Sequence, residues 1–343
     1  MDVSYANPST HFSRDMGTDR VRCLIRAGFQ IADGHRVPHK TSASDRALSR
    51  RRRGRSLGAP RLQGIGREAR SSGHCRKYTG CRGKQGHGGG RQRESDGYTL
   101  LLGSLGPLAV HQFTYSALAF DPERNFVPIA LLESSPILLV ASPTVSTSSA
   151  MELIDFARAN PGILSYASNG NGSPEHVAGE LFKKRLQLEI RHFPYDGAGP
   201  ARKAVLSGEA LLMFDPCKGA LPAIQQGLQR PLAVAAAARL PELPAVPTFR
   251  EVGVSQYELR IWTGVLAPAG TPREIVGKLN QAIRGILRAP EIRKEIAHEG
   301  GEAGSATSDD FTAFLRAERT HWRTLVDESG IPKVAAAPTT AAY

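Results

Sequence analysis

From Asp96 onward, short apolar runs alternate with stretches in which apolar residues recur every three or four positions. The runs at 99–102, 128–132, 137–141, 163–167, 190–193, 211–214 and 232–236 have strand length and strand composition. Between them lie helices with readable ends. Ser148 or Ser149 caps a helix carrying Leu153, Ile154, Phe156 and Ala157, which stops at Asn160-Pro161-Gly162. A helix following Ser173 ends near Arg185, and one over 200–206 closes at Gly208. Thr271-Pro272-Arg273-Glu274 reads as a capping box with proline at the first helical position. Behind it Ile275, Val276, Leu279, Ile283, Ile286 and Leu287 form an apolar stripe. Thr307 or Ser308 opens a last helix faced by Phe311, Phe314, Leu315, Trp322, Leu325 and Val326. Strand and helix alternate throughout, which predicts an α/β protein with mostly parallel sheets. No apolar run approaches the ~18–20 residues of a membrane span.

The first quarter has a different texture. Between Thr41 and Glu94 no helical or strand period is sustained, Arg50 to Arg53 form a charge run, and 86–93 reads GHGGGRQR. Few Val, Ile, Leu or Phe offset the chain entropy there, so 1–95 is expected to be disordered. Residues 334–343 read as a loose tail. Near Met1 no basic segment leads into an apolar stretch of export-signal length; 22–31 comes nearest and is broken by Arg26, Gly28 and Gln30.

The net charge of +12 over 343 residues suggests a nucleic-acid partner until it is located. Residues 1–96 carry 21 Lys and Arg against 8 Asp and Glu, which leaves 23 against 24 for the remainder. The body therefore has no electrostatic reason to follow a phosphate backbone. A basic-tailed protein binding nucleic acid or acidic surfaces through 1–95 stays as the runner-up reading. Three of the four cysteines, Cys23, Cys75 and Cys81, also lie in the first quarter. His74, Cys75, Cys81 and His87 make a poor zinc site, because five residues separate the two cysteines where two to four are usual. Cys217, alone in the body, reads as a small buried hydrophobe.

Parallel strands bind ligands beyond their carboxyl ends, and three loops are placed for this. The first runs Ser168, Asn169, Gly170, Asn171, Gly172, Ser173 between a strand and a helix. Ser173 suits the N-cap, Pro174 suits the first helical position, and the two glycines let backbone approach a bound group. The N–H groups and dipole of the helix start favour an anion, carboxylate or phosphate; an ordinary Gly-rich turn would look the same. His176, at the third helical position, either supports the cap or faces a ligand. The second loop, Tyr195, Asp196, Gly197, Ala198 and Gly199, offers a hydroxyl and a flat ring that also suit a packed rim. At the third, Asp215 follows a strand and either meets a ligand amine or caps the next helix. Arg202 and Lys203 read as the solvated face of their helix. Ser173, His176 and Asp215 invite a hydrolase reading, but the nucleophile elbow G-x-S-x-G is absent because Pro174-Glu175 follows the serine.

Taken together, the residues resemble a family. Asp96-Gly97-Tyr98-Thr99-Leu100-Leu101, then Tyr166-Ala167-Ser168 with Gly170, Gly172-Ser173 and His176, then Pro194-Tyr195 with Gly197, come in order. Pro247-Thr248, Glu251, Gly253, Trp262 and Ala267-Pro268-Ala269-Gly270-Thr271-Pro272 follow. This series resembles the substrate-binding proteins of tripartite tricarboxylate transporters, the Bug family of extracytoplasmic receptors. The resemblance implies a two-domain, periplasmic-binding-protein-like α/β fold of the type II clam-shell kind. One domain would combine 96–140 with 252–333 and the other would span 141–251. It implies a periplasmic monomer without cofactor or catalysis, which holds a small organic carboxylate and delivers it to the transporter's membrane components. The ligand loops would be Ser168 to Ser173 with His176, and Tyr195 to Gly199. The family's export signal and its Pro-Gly-Gly-x-x-Asp loop find no counterpart before Asp96. We therefore expect 1–95 to be an out-of-frame or misassigned start, and the edge of the first domain to be missing.

Overall fold

The computed structural model describes Ser95–Ala335, all within the unit Cys75–Tyr343. The expectations for 1–94, the zinc reading and the tail beyond Ala335 lie outside the described residues. Strand Leu101–Ser104 (β1) leads into a π-helical turn, Gly106–Val110, and the short helix His111–Thr114 (α1). Strand Phe126–Ala141 (β2), helix Ala150–Ala159 (α2) and strand Ser165–Ser168 (β3) follow. Helix Pro174–Leu186 (α3), strand Arg191–Pro194 (β4), helix Ala198–Ser207 (α4) and strand Leu212–Pro216 (β5) come next. Then come helix Cys217–Gln225 (α5), strand Arg230–Val234 (β6) and strand Arg260–Pro268 (β7). Helices Arg273–Arg288 (α6) and Pro290–His298 (α7), strand Glu302–Ala303 (β8) and helix Ser308–Ser329 (α8) close the chain.

The 16-residue β2 organises the molecule. Its first half pairs with β7, from Phe126 opposite Pro268 to Pro136 opposite Arg260, and β1 lies on the far side of β7. Its second half, Ile137 to Ala141, lies between β5 and β6. Two separate strands were expected here, at 128–132 and 137–141. Ser134 and Ser135 between them carry the pairing on without a turn, and Ser135 buries its hydroxyl by donating to the Gly300 carbonyl at 3.1 Å. The expectation of mostly parallel sheets is also corrected. Among the described residues parallel pairing joins β3 to β4 and β3 to β5, while β2 is antiparallel to β5, β6, β7 and β8. β2 crosses both halves of the sheet as one continuous strand and runs against each partner it meets in either half.

The run Ile137-Leu138-Leu139-Val140-Ala141 shows no alternation because both of its faces are covered. Ile137, Leu139 and Ala141 join a core with Tyr166, Phe182, Leu212, Phe214, Phe249 and Tyr257. Leu138 and Val140 point the other way, to Ala167, Val205, Met213 and Cys217. Fully burying one such side chain contributes about 1.5–3 kcal/mol, so β2 is a large share of what holds the two halves of the sheet together.

Helix ends follow the sequence closely at three places. Ser149 caps α2 by accepting from Glu152 N–H, Ser173 caps α3 from His176 N–H, and Thr307 with Asp310 forms a reciprocal capping box on α8. At α6 the expected capping box is absent. Pro272 occupies the N-cap position, Thr271 Oγ1 donates back to the Pro268 carbonyl at 2.8 Å, and Glu274 pairs with Lys278 at 2.7 Å. A proline N-cap has no side-chain acceptor, so the threonine turns to the loop behind it. The expected loose tail is tied down where it begins: Val334 N–H donates to the Thr114 carbonyl at 2.8 Å and its own carbonyl accepts from Ser116 N–H at 2.9 Å.

Candidate functional site

Because β3, β4 and β5 run parallel, the loops leaving their carboxyl ends share one edge of the sheet. Ser168 to Ser173 leaves β3, Tyr195 to Gly197 leaves β4, and Asp215 lies near the end of β5. The tertiary structure thus brings together the three segments that the sequence offered separately.

The first loop is tightly built. Tyr195 N–H donates to the Ser168 carbonyl at 3.1 Å, and Ser173 N–H donates to the Gly170 carbonyl at 3.2 Å. Gly170 has φ +123°, and a methyl there would come within 3.3 Å of the Tyr195 carbonyl, so the first two loops touch at this glycine. Gly172, at φ +76°, is approached from outside: a methyl would meet Thr114 Oγ1 at 2.9 Å. Thr114 Oγ1 donates to the Gly172 carbonyl at 2.9 Å and Tyr115 Oη donates to the Asn171 carbonyl at 2.7 Å. The end of α1 therefore closes over the loop. Pattern alone missed it, since 105–115 carries neither a cap signal nor a strand run.

Two histidines stand behind the loop. His176 Nδ1 accepts from Gly172 N–H at 3.1 Å, and the two imidazoles of His176 and His192 stack with centroids 3.9 Å apart. His192 Nε2 shares a 2.6 Å hydrogen bond with Ser168 Oγ, and Tyr166 stacks on its other face at 4.8 Å. Burial, for both rings the largest cause, lowers His176 to about 4 and His192 to about 3. His176 is buried, and it supports the cap and the loop through its own backbone and ring. His192 lay outside the sequence reading; its signal was a histidine within β4, beside the strand that leads into the Ser168–Ser173 loop.

The remaining expected residues are placed as follows. Tyr195 is half-buried and donates to Glu209 at 3.0 Å; burial, then Glu209, raises its hydroxyl to about 12, so it stays a donor. Gly197, at φ +102°, is the N-cap of α4 and Ala198 its first residue, so this helix begins two residues earlier than expected. Asp215 is fully buried and takes Arg202 in two bonds, Nε to Oδ2 at 2.6 Å and Nη2 to Oδ1 at 2.9 Å. That carboxylate serves neither as a helix cap nor as an open ligand contact. Arg202 lies inward along Gly219, where no side chain would fit, and is not part of a solvated face. A hydrolytic triad is not assembled, since Ser173 Oγ accepts the His176 N–H and Asp215 faces Arg202.

Around the start of α3 three buried polar atoms find no hydrogen-bond partner among the described residues: His111 Nε2, Asn169 Oδ1 and Glu175 Oε2. A methyl at Gly106 would lie 3.1 Å from His111 Nε2 and 3.6 Å from Pro174 Cδ, which sets His111 against this helix start. Burial lowers His111 to about 4, and burial first, then the Asp215 charge, raises Glu175 to about 7. Buried polar groups are almost always satisfied, so three such atoms beside one helix N-terminus single this place out among the described residues. No group of His, Cys, Asp and Glu among the described residues is arranged to hold a metal.

A mixed α/β sheet whose loops gather along one strand edge is the periplasmic-binding-protein-like fold of its solved relatives, a class of solute-binding receptors. Residues 86–331 match the tripartite tricarboxylate transporter family receptor, and the chain belongs to that family, one of binding receptors and not of enzymes. It is 33% identical to the protein BugT of Bordetella pertussis over 237 residues, 69% of this chain and 73% of that protein. Among solved structures it resembles R. palustris Rpa4515 with adipate, with TM-score 0.69 and 32% identity over 71% of this chain and 81% of that one. It also resembles the periplasmic binding protein BugD, with TM-score 0.66 and 27% identity over 71% and 82% of the two chains. A further match is MatC from Rhodopseudomonas palustris with bound malate, with TM-score 0.63 and 30% identity over 68% and 80%.

Proposed function

We propose that this receptor holds a small organic carboxylate at the start of α3 and presents it, as a periplasmic monomer, to the membrane components of a tripartite transporter. The observation that carries this reading is the N-terminus of α3, where Ser173, the Gly170–Gly172 turn and three unpartnered buried polar atoms converge. Adipate and malate in the related Rpa4515 and MatC structures support the ligand class. In this reading the ligand carboxylate lies against the segment of Ser168, Asn169, Gly170, Gly172 and Ser173 at the start of α3. Tyr195, Gly197 and Ala198 form the neighbouring wall. His176 and Asp215 support the site from behind.

The two lobes divide where β2 changes partners, near Pro136 and Ile137, a few residues before the boundary at 141 expected from sequence. Thr114 and Tyr115 then belong to one lobe and the carbonyls they grip to the other, so these bonds form as the lobes close. A micromolar complex corresponds to about −8 kcal/mol. A helix dipole contributes up to ~2 kcal/mol of that, and the remainder falls to hydrogen bonds and closure.

Isothermal titration of the purified chain with adipate and malate tests the reading. Binding of either, weakened at least tenfold in Gly170→Val and insensitive to 50–200 mM salt beyond a small factor, supports it. Absence of binding to any dicarboxylate by folded protein sinks it.

A further inference from the structure

Glu175 is 4% exposed, stands at the second position of α3, and leaves Oε2 without a partner among the described residues. Burial works against its ionised form and outweighs the helix start and the hydrogen bonds that favour the charge. Burial strips its water. The charged groups that bear on it are Asp215 from β5 and Arg202 from α4, and those two are already bound to each other. Its own backbone N–H and Ser173 Oγ, at the cap of its helix, each offer it a hydrogen bond. His176, one residue on, is held neutral at pH 7 by its burial.

Accepting the carboxylate-receptor reading above, we propose that Glu175 is a proton-carrying residue of the binding site: an incoming carboxylate is held together with one proton, taken from solvent by Glu175 as the ligand binds. The reasoning is electrostatic. The ligand's negative charge is placed at the helix start that Glu175 occupies. Two adjacent buried anions disfavour each other, so the bound state favours the neutral acid. The neutral acid has a hydroxyl that can donate to the ligand, which an ionised Glu175 lacks. With the free carboxyl already raised to about 7, the proton is half in place near neutrality and must be taken up above it. Ligand affinity then falls as pH rises through that value, by about tenfold per unit once Glu175 is ionised in the free protein. A receptor of this design binds more tightly on an acidified face of a membrane and releases its cargo more readily in alkaline surroundings.

The experiment is titration of the full chain with adipate and with malate from pH 6 to pH 8.5, in the unaltered protein and in Glu175→Gln. The expected result is affinity that is level below about pH 6.5 and weakens about 15-fold between pH 7 and pH 8.5, with Glu175→Gln level throughout. In the unaltered protein, calorimetry at pH 8 in two buffers of different ionisation enthalpy should show nearly one proton taken up per ligand. That second measurement decides the matter if the glutamine variant fails to fold. Level affinity with no proton uptake, or an undiminished slope in Glu175→Gln, overturns the proposal while leaving the receptor reading intact. Failure of both proteins to bind either acid at any pH overturns the receptor reading, and the proton with it.

Discussion

The imidazole of His176 lies flat against that of His192, their centroids 3.9 Å apart and their planes 11° from parallel. One comes from the first turn of α3 and the other from β4, so the contact binds helix to strand beside the loop from Ser168 to Ser173. Each ring also grips the loop itself, His176 at Gly172 N–H and His192 at Ser168 Oγ. Stacking at this distance disfavours charging both rings, since two imidazolium ions would face each other in a buried site beside Lys183.

A pH dependence of stability follows. The native state holds His176 near 4 and His192 near 3, and burial holds His111 near 4, whereas the unfolded chain protonates all three near 6.5. Between about pH 6.5 and 4 the unfolded state binds more protons, so stability is fully present above 6.5 and is lost as pH falls. Each histidine acting alone accounts for about 3 kcal/mol over that window, less for the coupled pair. Urea unfolding from pH 7.5 to 4.5 should show this decline, and His192→Gln should reduce the slope by about one proton. An unchanged slope would mean that the pair is not titrating.

Glu175 carries the opposite sign. Its folded value of about 7 lies above the unfolded ~4.3, so its contribution is fully present at low pH and is lost as pH rises through 7. Relative to the unaltered protein, Glu175→Gln should gain about 3 kcal/mol at pH 8 and almost nothing at pH 4. Thermal melts of the two proteins at both pH values provide the comparison, and equal shifts at the two would contradict it.

Removing Arg202 strands a fully buried carboxylate. Arg202→Met should therefore cost about 3 kcal/mol, while the double change with Asp215→Leu should recover most of it, because breaking a buried pair costs more than replacing it. A double-mutant cycle by chemical denaturation gives the coupling; additive losses would show that the pair is not the source.

Gly172→Ala probes the seam between α1 and the loop. The new methyl would meet Thr114 Oγ1 at 2.9 Å on a backbone held at φ +76°. Strain of about 1–2 kcal/mol is expected from the left-handed backbone alone. Carboxylate affinity should drop at least tenfold, with most of the fold retained by far-ultraviolet circular dichroism. Unchanged affinity would detach Gly172 from the site.

Cys217 should resist thiol reagents in the native state. Its sulfur is buried beneath Gly300, and burial above all raises it to about 12. Peptide mapping after alkylation, with and without denaturant, should find this cysteine modified only in the unfolded chain.

The sequence by itself determined the elements whose signals are local. Ser149, Ser173 and Thr307 cap helices because a side-chain oxygen satisfies an N–H two or three residues on, and nothing distant is needed. The loop from Ser168 to Ser173 was legible for the same reason, as was the order of motifs that identified the family. What depended on residues far apart was not. The joining of two apolar runs into β2, and its direction against β5, were decided by pairing with β7 across more than a hundred residues. The pairing of Asp215 with Arg202, the stacking of His176 on His192, and the reach of Thr114 and Tyr115 onto the loop are likewise tertiary. A charge or a ring acquires its role from what burial places against it, and no local pattern in the chain records that neighbour.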